Sequence, residues 1–562
     1  MNQCTSPPKR DGKSVRERRD GEPRPQRRAE SAALRIRPSG ILPSRREALA
    51  ALASAALFSV SFPPFPLVVP VLFCLVPVTV LVAHIADRGG HGWEAARAGF
   101  WFGFIGYGAN LYWIAVALLL YTKLAVLGYV ASLIWLAPVI GATMAGVYFA
   151  RKLTGWPLAI LLPIVWTASE LVLNYLSDLS FPWLPLGLAL AHVPILAQIA
   201  DISGVRTVSF FIAAVNGLLA DAWLNRGVVR GATLRVAAAA ALVAAVASYG
   251  AWRMAAIRLS PIARIAIVQP DIPEEAKLTT ADPTLHVAKL VAMTRAEVAR
   301  SSPDLVVWPE AALDRFLWQY PNWADSLRSA VAAHPTAMIV GFMDSGNPLN
   351  VPFAYYNAAL LTDPRGNVSP QPPYRKHFLV PIVERVPFLN PEWFHGIDYF
   401  GGFSRGTSEE PFTLQFGSVG VLICYESIFP QLARDYARQG TTVLLNITND
   451  AWFQRSSAAY QHFAHLSLRA IETRLPIVRA ANTGISGWID PLGRVRAETP
   501  IFVARTATYA VEGASVRTLY VLVGDWIGSL CLVLTTGIMF AAWRAARFRA
   551  RIKEPSEPSR VG

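Results

Sequence analysis

A chain of 562 residues that is 53% hydrophobic, with a mean hydropathy of +0.34, is too long for one ordinary domain and too apolar for a soluble enzyme of that size. Its formal charge of +14 would suit a nucleic-acid binder, but the charge is gathered at the two ends: residues 1–46 hold 13 Lys or Arg against 5 acids, and 544–562 hold 6 against 2. The N-terminal tail neither interleaves aromatics with its basic residues nor offers a reading helix, so nucleic acid is excluded as a partner and a membrane protein remains.

Residues 1–46 read as a basic, disordered cytoplasmic tail held near anionic lipid. Apolar stretches of spanning length follow at 47–63, 67–85, 97–120, 124–150, 156–176, 206–224 and 233–252, and an eighth lies at 526–543. FPPFP at 62–66 reads as a tight re-entry turn between the first two. SRREALAALASAALF at 44–58 resembles a twin-arginine export signal, but no clear small-residue cleavage site precedes FPPFP, and it reads as a retained helix. Arg88 and Arg97 after the second span, Arg151 and Lys152 after the fourth, residues 225–235 after the sixth and the C-terminal tail after the eighth put the basic loops on one side. Both termini are thereby expected in the cytoplasm, and 253–515 on the outer face.

The expected scheme is a tail at 1–46, seven transmembrane helices over 47–252, a catalytic domain over 253–515, an eighth helix with its approach loop over 516–545, and a second basic cytoplasmic tail at 546–562. Asn110, Glu170 and Asn216 are polar positions within the spans, and a single acid reads as a tie between helices rather than a proton relay. SFPWLP at 180–185 reads as an entry side for lipid.

The outer segment has a different texture. Short β-branched runs such as RIAIVQPDI (264–272), PDLVVWPEAAL (303–313), GVLICYES (420–427) and TTVLLNITND (441–450) alternate with helical patterns at 282–301 and 460–474. That is an α/β layered domain, and three strand ends carry chemistry: Glu310 after VVWP, Lys376 in PPYRKHFLVP, and Cys424 after GVLI. Cys4 lies in the tail while Cys74 and Cys531 fall in apolar spans, so Cys424 has no partner for a structural disulfide. A thiol attacks as thiolate, and needs a base, a cation that lowers its pKa, and donors for the oxyanion it creates. Glu310 suits the base and Lys376 the cation. His377 adjoins Lys376 but points elsewhere in an extended stretch.

The strings VVWPEAAL (306–313), YRKHFLVPIVERVPF (374–388), GVLICYESIFP (420–430), NITNDAWF (446–453) and YQHFAHLSLRAIETRLPIVRAANTG (460–484), in this order, resemble the nitrilase superfamily. Eight spans around one such domain narrow the resemblance, over about residues 47–545, to the apolipoprotein N-acyltransferase family. The resemblance implies a polytopic α-helical membrane protein with an extracytoplasmic, nitrilase-like αββα sandwich, in the bacterial inner membrane and facing the periplasm. It implies Glu310 as general base, Lys376 as oxyanion stabiliser and Cys424 as nucleophile, supported by Glu384, Tyr425 and Glu426. Cys424 would take an acyl chain from a phospholipid as a thioester and pass it to the α-amino group of a diacylglyceryl cysteine on an apolipoprotein, the enzyme acting as a monomer.

FLNPEWFHGIDYFGGF at 388–403 reads as an aromatic arm at the interface or a buried loop. Leu278 stands where the family has tryptophan after lysine, and Gln454 where glycine is common. A membrane-tethered amidase or nitrilase and a non-catalytic lipoprotein-binding scaffold are the alternatives. No metal cluster or phosphate-binding glycine loop is seen in the sequence, and no cofactor is expected.

Overall fold

The computed structural model describes residues 40–553 apart from Pro66, 120–122, Ala281, Pro321, 346–353, Ile382 and 386–401. Most of the N-terminal tail, most of the aromatic arm and the last nine residues therefore lie outside the described residues. Residues from Pro43 onward form one unit.

Helices cover each of the eight apolar stretches. Among the described residues, Val69–Asp87, Ala125–Thr154, Val205–Leu224, Val229–Ala256 and Trp526–Phe548 have the length and composition to cross a membrane, and a sixth span arises if Gly92–Leu111 and Trp113–Leu119, bent by 49°, count together. Arg45–Ser59 and Leu158–Asn174 are shorter. The first opens on a reciprocal cap, in which Ser44 Oγ accepts from Glu47 N and Glu47 Oε2 accepts from Ser44 N.

Gly99 and Gly103 let Gly92–Leu111 lie close against Ala125–Thr154: a Cβ on Gly99 would stand 2.7 Å from the Ile140 carbonyl oxygen. Arg97 departs from the loop charge expected of it. The helix begins at Gly92, not at 97, so Arg97 is inside it, 4% exposed, with Nε 3.1 Å and Nη2 2.8 Å from the Glu47 carboxylate. Its charge is compensated within the helices. Glu170 Oε1 accepts from Trp166 Nε1 on its own helix and from the backbone of Leu186 outside it, a tie of the kind expected. Asn216 likewise holds Leu75 N and Val71 O.

The second half of the unit is the αββα sandwich. Its strands are β1 (Ser260–Gln269), β2 (Leu305–Val307), β3 (Leu313–Phe316), β4 (Ala337–Ser345), β5 (Tyr355–Leu361), β6 (Tyr374–Arg375), β7 (Phe412–Leu414), β8 (Gly417–Ile423), β9 (Val443–Thr448), β10 (Ile477–Ala481), β11 (Gly487–Ile489), β12 (Val495–Glu498) and β13 (Arg505–Gly513). One sheet runs β13-β1-β2-β4-β5-β6, with β3 also on β4, and the other runs β12-β11-β10-β9-β8-β7. The central strands β1, β2 and β4, and β8, β9 and β10, are parallel.

Alternation along these strands divides their side chains between two faces. Ile265, Ile267, Val307 and Ile339 of the first sheet share a core with Val421, Ile423, Leu445 and Ile447 of the second. Ala266, Val268, Val306, Met338 and Val340 turn outward onto Thr284–Ser301 and Trp323–Ala330. The parallel strands end together on one edge, and the site lies there.

The two halves are joined by buried polar contacts. Arg474 donates to Gln198 Oε1 and Asp201 Oδ2, both at 2.7 Å, and Glu472 Oε1 accepts from Val205 N at 2.6 Å. SFPWLP packs beneath the turn Cys424–Ile428: Trp183 is 2% exposed, and the Ser180 carbonyl accepts from Tyr425 Oη at 2.9 Å.

Candidate active site

Glu310 leaves β2 through Trp308 and Pro309, and Gly341 on the neighbouring β4 makes room for that exit. A Cβ there would sit 2.2 Å from the Pro309 carbonyl oxygen, a distance no side chain tolerates. The Glu310 carboxylate is 5% exposed and fully engaged. Oε2 accepts from Asn449 N at 2.7 Å, and Oε1 from Asn357 Nδ2 at 2.6 Å and from Lys376 Nζ at 3.5 Å.

Lys376 follows β6 directly. Its backbone N donates to Asn357 O at 2.9 Å and its carbonyl accepts from Gly406 N at 2.9 Å, which fixes the stem of the side chain. Nζ then lies between two carboxylates, at 2.9 Å from Glu384 Oε1 and at the longer distance from Glu310. Glu384 is held in turn by Val380 N on Oε2 at 2.8 Å. Burial opposes charge on Lys376, but Glu384 and then Glu310 overcome it, and the ammonium is held above its ordinary pKa.

Cys424 ends β8 and begins the 3₁₀ turn Cys424–Ile428. Its φ of +51° is rare for a residue with a side chain, and such backbone strain recurs where a reactive group is presented. The turn is laced to the lysine loop by Glu426, which is fully buried. Its Oε2 accepts from Ile423 N (2.7 Å) and Tyr374 Oη (2.8 Å), and its Oε1 from His377 N (2.6 Å) and Phe378 N (3.2 Å). Burial raises its pKa to about 7 even though all four donors favour the anion. Tyr425, the other shaping residue expected, points the opposite way, into the helices.

Glu310, Lys376, Glu384 and Glu426 are thus brought together around the strand end that carries Cys424. His377 turns back onto Tyr374, its Nδ1 3.2 Å from Tyr374 Oη, and burial lowers its pKa to about 4, so it is neutral and off the site.

One expectation is corrected. Lys376 does pull the thiol pKa down, but burial and the Glu310 charge outweigh it, and the net shift is upward. The ammonium faces two carboxylates as well as the sulfur, so no net positive charge remains to stabilise a thiolate. At rest Cys424 is a thiol, and any attack by its sulfur needs a base to take the proton.

Several residues of the site were not singled out from the sequence. Asn357, an amide within the apolar strand β5, donates to Glu310 and, at 3.4 Å, to Glu384. Asn449 adds a bond from Nδ2 to Glu274 Oε2 at 2.8 Å. Asp450, Arg479 and His462 form a buried group behind Cys424, and the Arg479 charge holds Asp450 near pKa 2 against the cost of its burial. Polar residues within apolar runs were the available signal. Of the two departures, the side chain of Leu278 lies outside what the structure describes, while the preceding Lys277 donates to Ala311 O at 3.0 Å, and Gln454 takes φ +47° and ψ −149°, a conformation natural to the glycine common there.

A family model described as the apolipoprotein N-acyltransferase N-terminal domain matches residues 54–218, and one described as carbon-nitrogen hydrolase matches 264–520. The apolipoprotein N-acyltransferase of Geobacter metallireducens is 32% identical over 526 residues, covering 89% of this chain and 96% of that one. That of Chlorobaculum tepidum is 30% identical over 514 residues, covering 86% and 93%. The crystal structure of a Saccharomyces cerevisiae member of the nitrilase superfamily aligns at 17% identity with a TM-score of 0.36, over 46% of this chain and 92% of that one.

Proposed function

The chain belongs to the apolipoprotein N-acyltransferase family, and from that premise we propose that it carries a fatty acyl chain from a membrane phospholipid to the α-amino group of a diacylglyceryl cysteine, through a thioester on Cys424. N-acylation of lipoproteins, with a lipid donor and a lipoprotein acceptor in a membrane, is the function the family membership gives. Donor, intermediate and residue roles are our reading. The observation that carries it is the Lys376 ammonium held between Glu310 and Glu384, on the edge where Cys424 is presented by a strained turn.

Glu310 removes the Cys424 proton as sulfur attacks the phospholipid ester carbonyl. The oxyanion that forms is stabilised by Lys376, whose charge its two carboxylates preserve. Collapse breaks the acyl–oxygen bond, and the departing glycerol oxygen takes the proton from Glu310 and leaves in lysophospholipid. The neutral α-amine then attacks the thioester. Glu310 accepts its proton and returns it to the leaving Cys424 sulfur, so the enzyme is regenerated with no cofactor. Glu426 and Tyr425 hold the nucleophile turn, and Glu384 holds the lysine. The Arg and Lys distribution supports cytoplasmic termini and a catalytic domain on the periplasmic side, even with Arg97 taken out of the count.

The test is the intact mass of the detergent-purified protein incubated with phosphatidylethanolamine and no acceptor. A fatty-acyl increment that hydroxylamine removes, and that is absent in Cys424→Ala, is the expected result. Acylation of a lipoprotein peptide by Cys424→Ala at the wild-type rate would overturn it.

A further inference from the structure

The residues behind the nucleophile have no part in the chemistry just described, yet one of them touches the nucleophile's own backbone. His462 is fully buried on the helix Ala458–Thr473, and its Nε2 lies 3.0 Å from the carbonyl oxygen of Cys424. A carbonyl can only accept, so Nε2 carries the proton. The other ring nitrogen, Nδ1, is 3.1 Å from Arg479 Nη2 and 3.1 Å from Asp450 Oδ1. Arg479 is itself fixed by Asn446 Oδ1 (2.6 Å), Ile485 O (2.9 Å) and Asp450 Oδ2 (2.5 Å). Asp450 Oδ1 also accepts from Thr448 Oγ1 at 3.0 Å. The imidazole is therefore held at both nitrogens, by the Cys424 carbonyl and by an Arg479 that groups on β9, the loop after β9 and the loop after β10 fix in place. Burial, then the Arg479 charge, lower the His462 pKa, so the ring is neutral.

The carbonyl it holds has a particular geometry. Cys424 stands at φ +51°, and its C=O accepts a second bond, from Ser427 Oγ at 3.0 Å. The peptide plane between Cys424 and Tyr425 is rigid and trans, so a carbonyl fixed on one side fixes the Tyr425 N–H on the other. That N–H lies in the first turn of the 3₁₀ helix, where backbone donors have no intrahelical acceptor. Holding the carbonyl thus fixes both the backbone that carries the sulfur and the direction of a backbone donor beside it.

We propose that His462 is a positioning residue for acyl transfer, its Nε2–H bond to the Cys424 carbonyl keeping the nucleophile turn in its strained conformation so that sulfur and the Tyr425 N–H face the same acyl carbonyl. The adjacent Gln461 gives that placement an outside reference. Its Oε1 accepts from Trp183 Nε1 (2.9 Å) and Trp113 Nε1 (3.2 Å), and its Nε2 donates to Pro63 O and Asn110 O, both at 3.3 Å. Trp183 also packs on the His462 ring, with centroids 5.6 Å apart. One turn of helix therefore registers the nucleophile against three separate segments of the helical half.

This rests on Cys424 being the nucleophile, and the experiment separates the two claims. The rate of acyl-enzyme formation from phosphatidylethanolamine is measured by intact mass on the full-length protein, its His462→Gln and His462→Asn variants and His462→Leu, each with its thermal midpoint. A glutamine amide reaches the Nε2 position, whereas an asparagine amide reaches only the Nδ1 position. His462→Asn and His462→Leu are expected to slow acylation on the order of a hundredfold at unchanged half-saturating lipid, while His462→Gln stays near the wild-type rate. Equal rates for Gln and Asn variants, or losses that follow the thermal midpoints, would overturn the positioning role. No adduct on the wild-type protein would instead overturn the thioester on which it stands.

Discussion

Replacing Glu426 by Gln keeps the shape of the side chain and removes a charge that the fold can scarcely accommodate. In the native protein this carboxyl titrates at about 7 against an ordinary 4.5. Its folded pKa is the higher one, so the folded state binds the proton more tightly. The stability it contributes is fully present below the ordinary value and is lost as pH rises through about 7. At about 1.4 kcal/mol per pH unit, the loss between pH 5 and pH 8 is about 2.5 kcal/mol. The amide has no such dependence. It does have a fixed cost of about 1–3 kcal/mol, because its NH₂ group cannot accept from Ile423 N or Tyr374 Oη where Oε2 does. Unfolding of detergent-purified wild type and Glu426→Gln by denaturant, followed by tryptophan fluorescence at pH 5 and pH 8, gives the comparison. The variant is expected to be clearly the weaker protein at pH 5 and to close most or all of the gap at pH 8. Parallel stabilities across that range would show that Glu426 stays ionised in the fold, and the reasoning from its burial would fail.

Three further outcomes follow from the same geometry. Lys376→Met leaves Glu310 and Glu384 sharing Asn357 with no cation, and the turnover of lipoprotein acylation should fall on the order of a hundredfold or more; a near-normal rate would remove Lys376 from the mechanism. Gly341→Ala pushes Pro309 and hence Glu310 out of place, and its acyl-enzyme should form on the order of a hundredfold more slowly while Cys424 still reacts with a small alkylating agent; an unimpaired rate would show that the β2 exit has slack. Gln454→Gly relieves a backbone conformation suited to glycine and should raise the unfolding free energy by about 1 kcal/mol. No gain in the denaturation midpoint would mean that the Gln454 side chain offsets its strain.

The sandwich and the catalytic edge were legible because strand runs ending in WPE, K and C-Y-E carry both their secondary structure and their chemistry in consecutive residues. Glu384 was reachable through the family pattern. Asn357, Asp450, His462 and Arg479 were not singled out, since each acts on a residue distant in the chain and looks locally like a polar interruption of an apolar element. The thiol's raised pKa was unreadable for a related reason. It depends on how many carboxylates share one ammonium, and sequence gives the residues without the sharing. Arg97 was misread because the helix begins five residues earlier than hydropathy suggests, where His91 and Glu94 form a capping box.

Arg474, His465 and Gln461 belong by sequence to the sandwich but find partners in Asp201, Trp183 and Trp113 of the helical half. Cutting the chain ahead of β1 would strand a guanidinium, an imidazole and an amide in a newly exposed apolar surface. Here the sandwich and the helices share those buried contacts, and limited proteolysis between the halves followed by removal of the helical half is expected to abolish acyl transfer rather than release a working fragment.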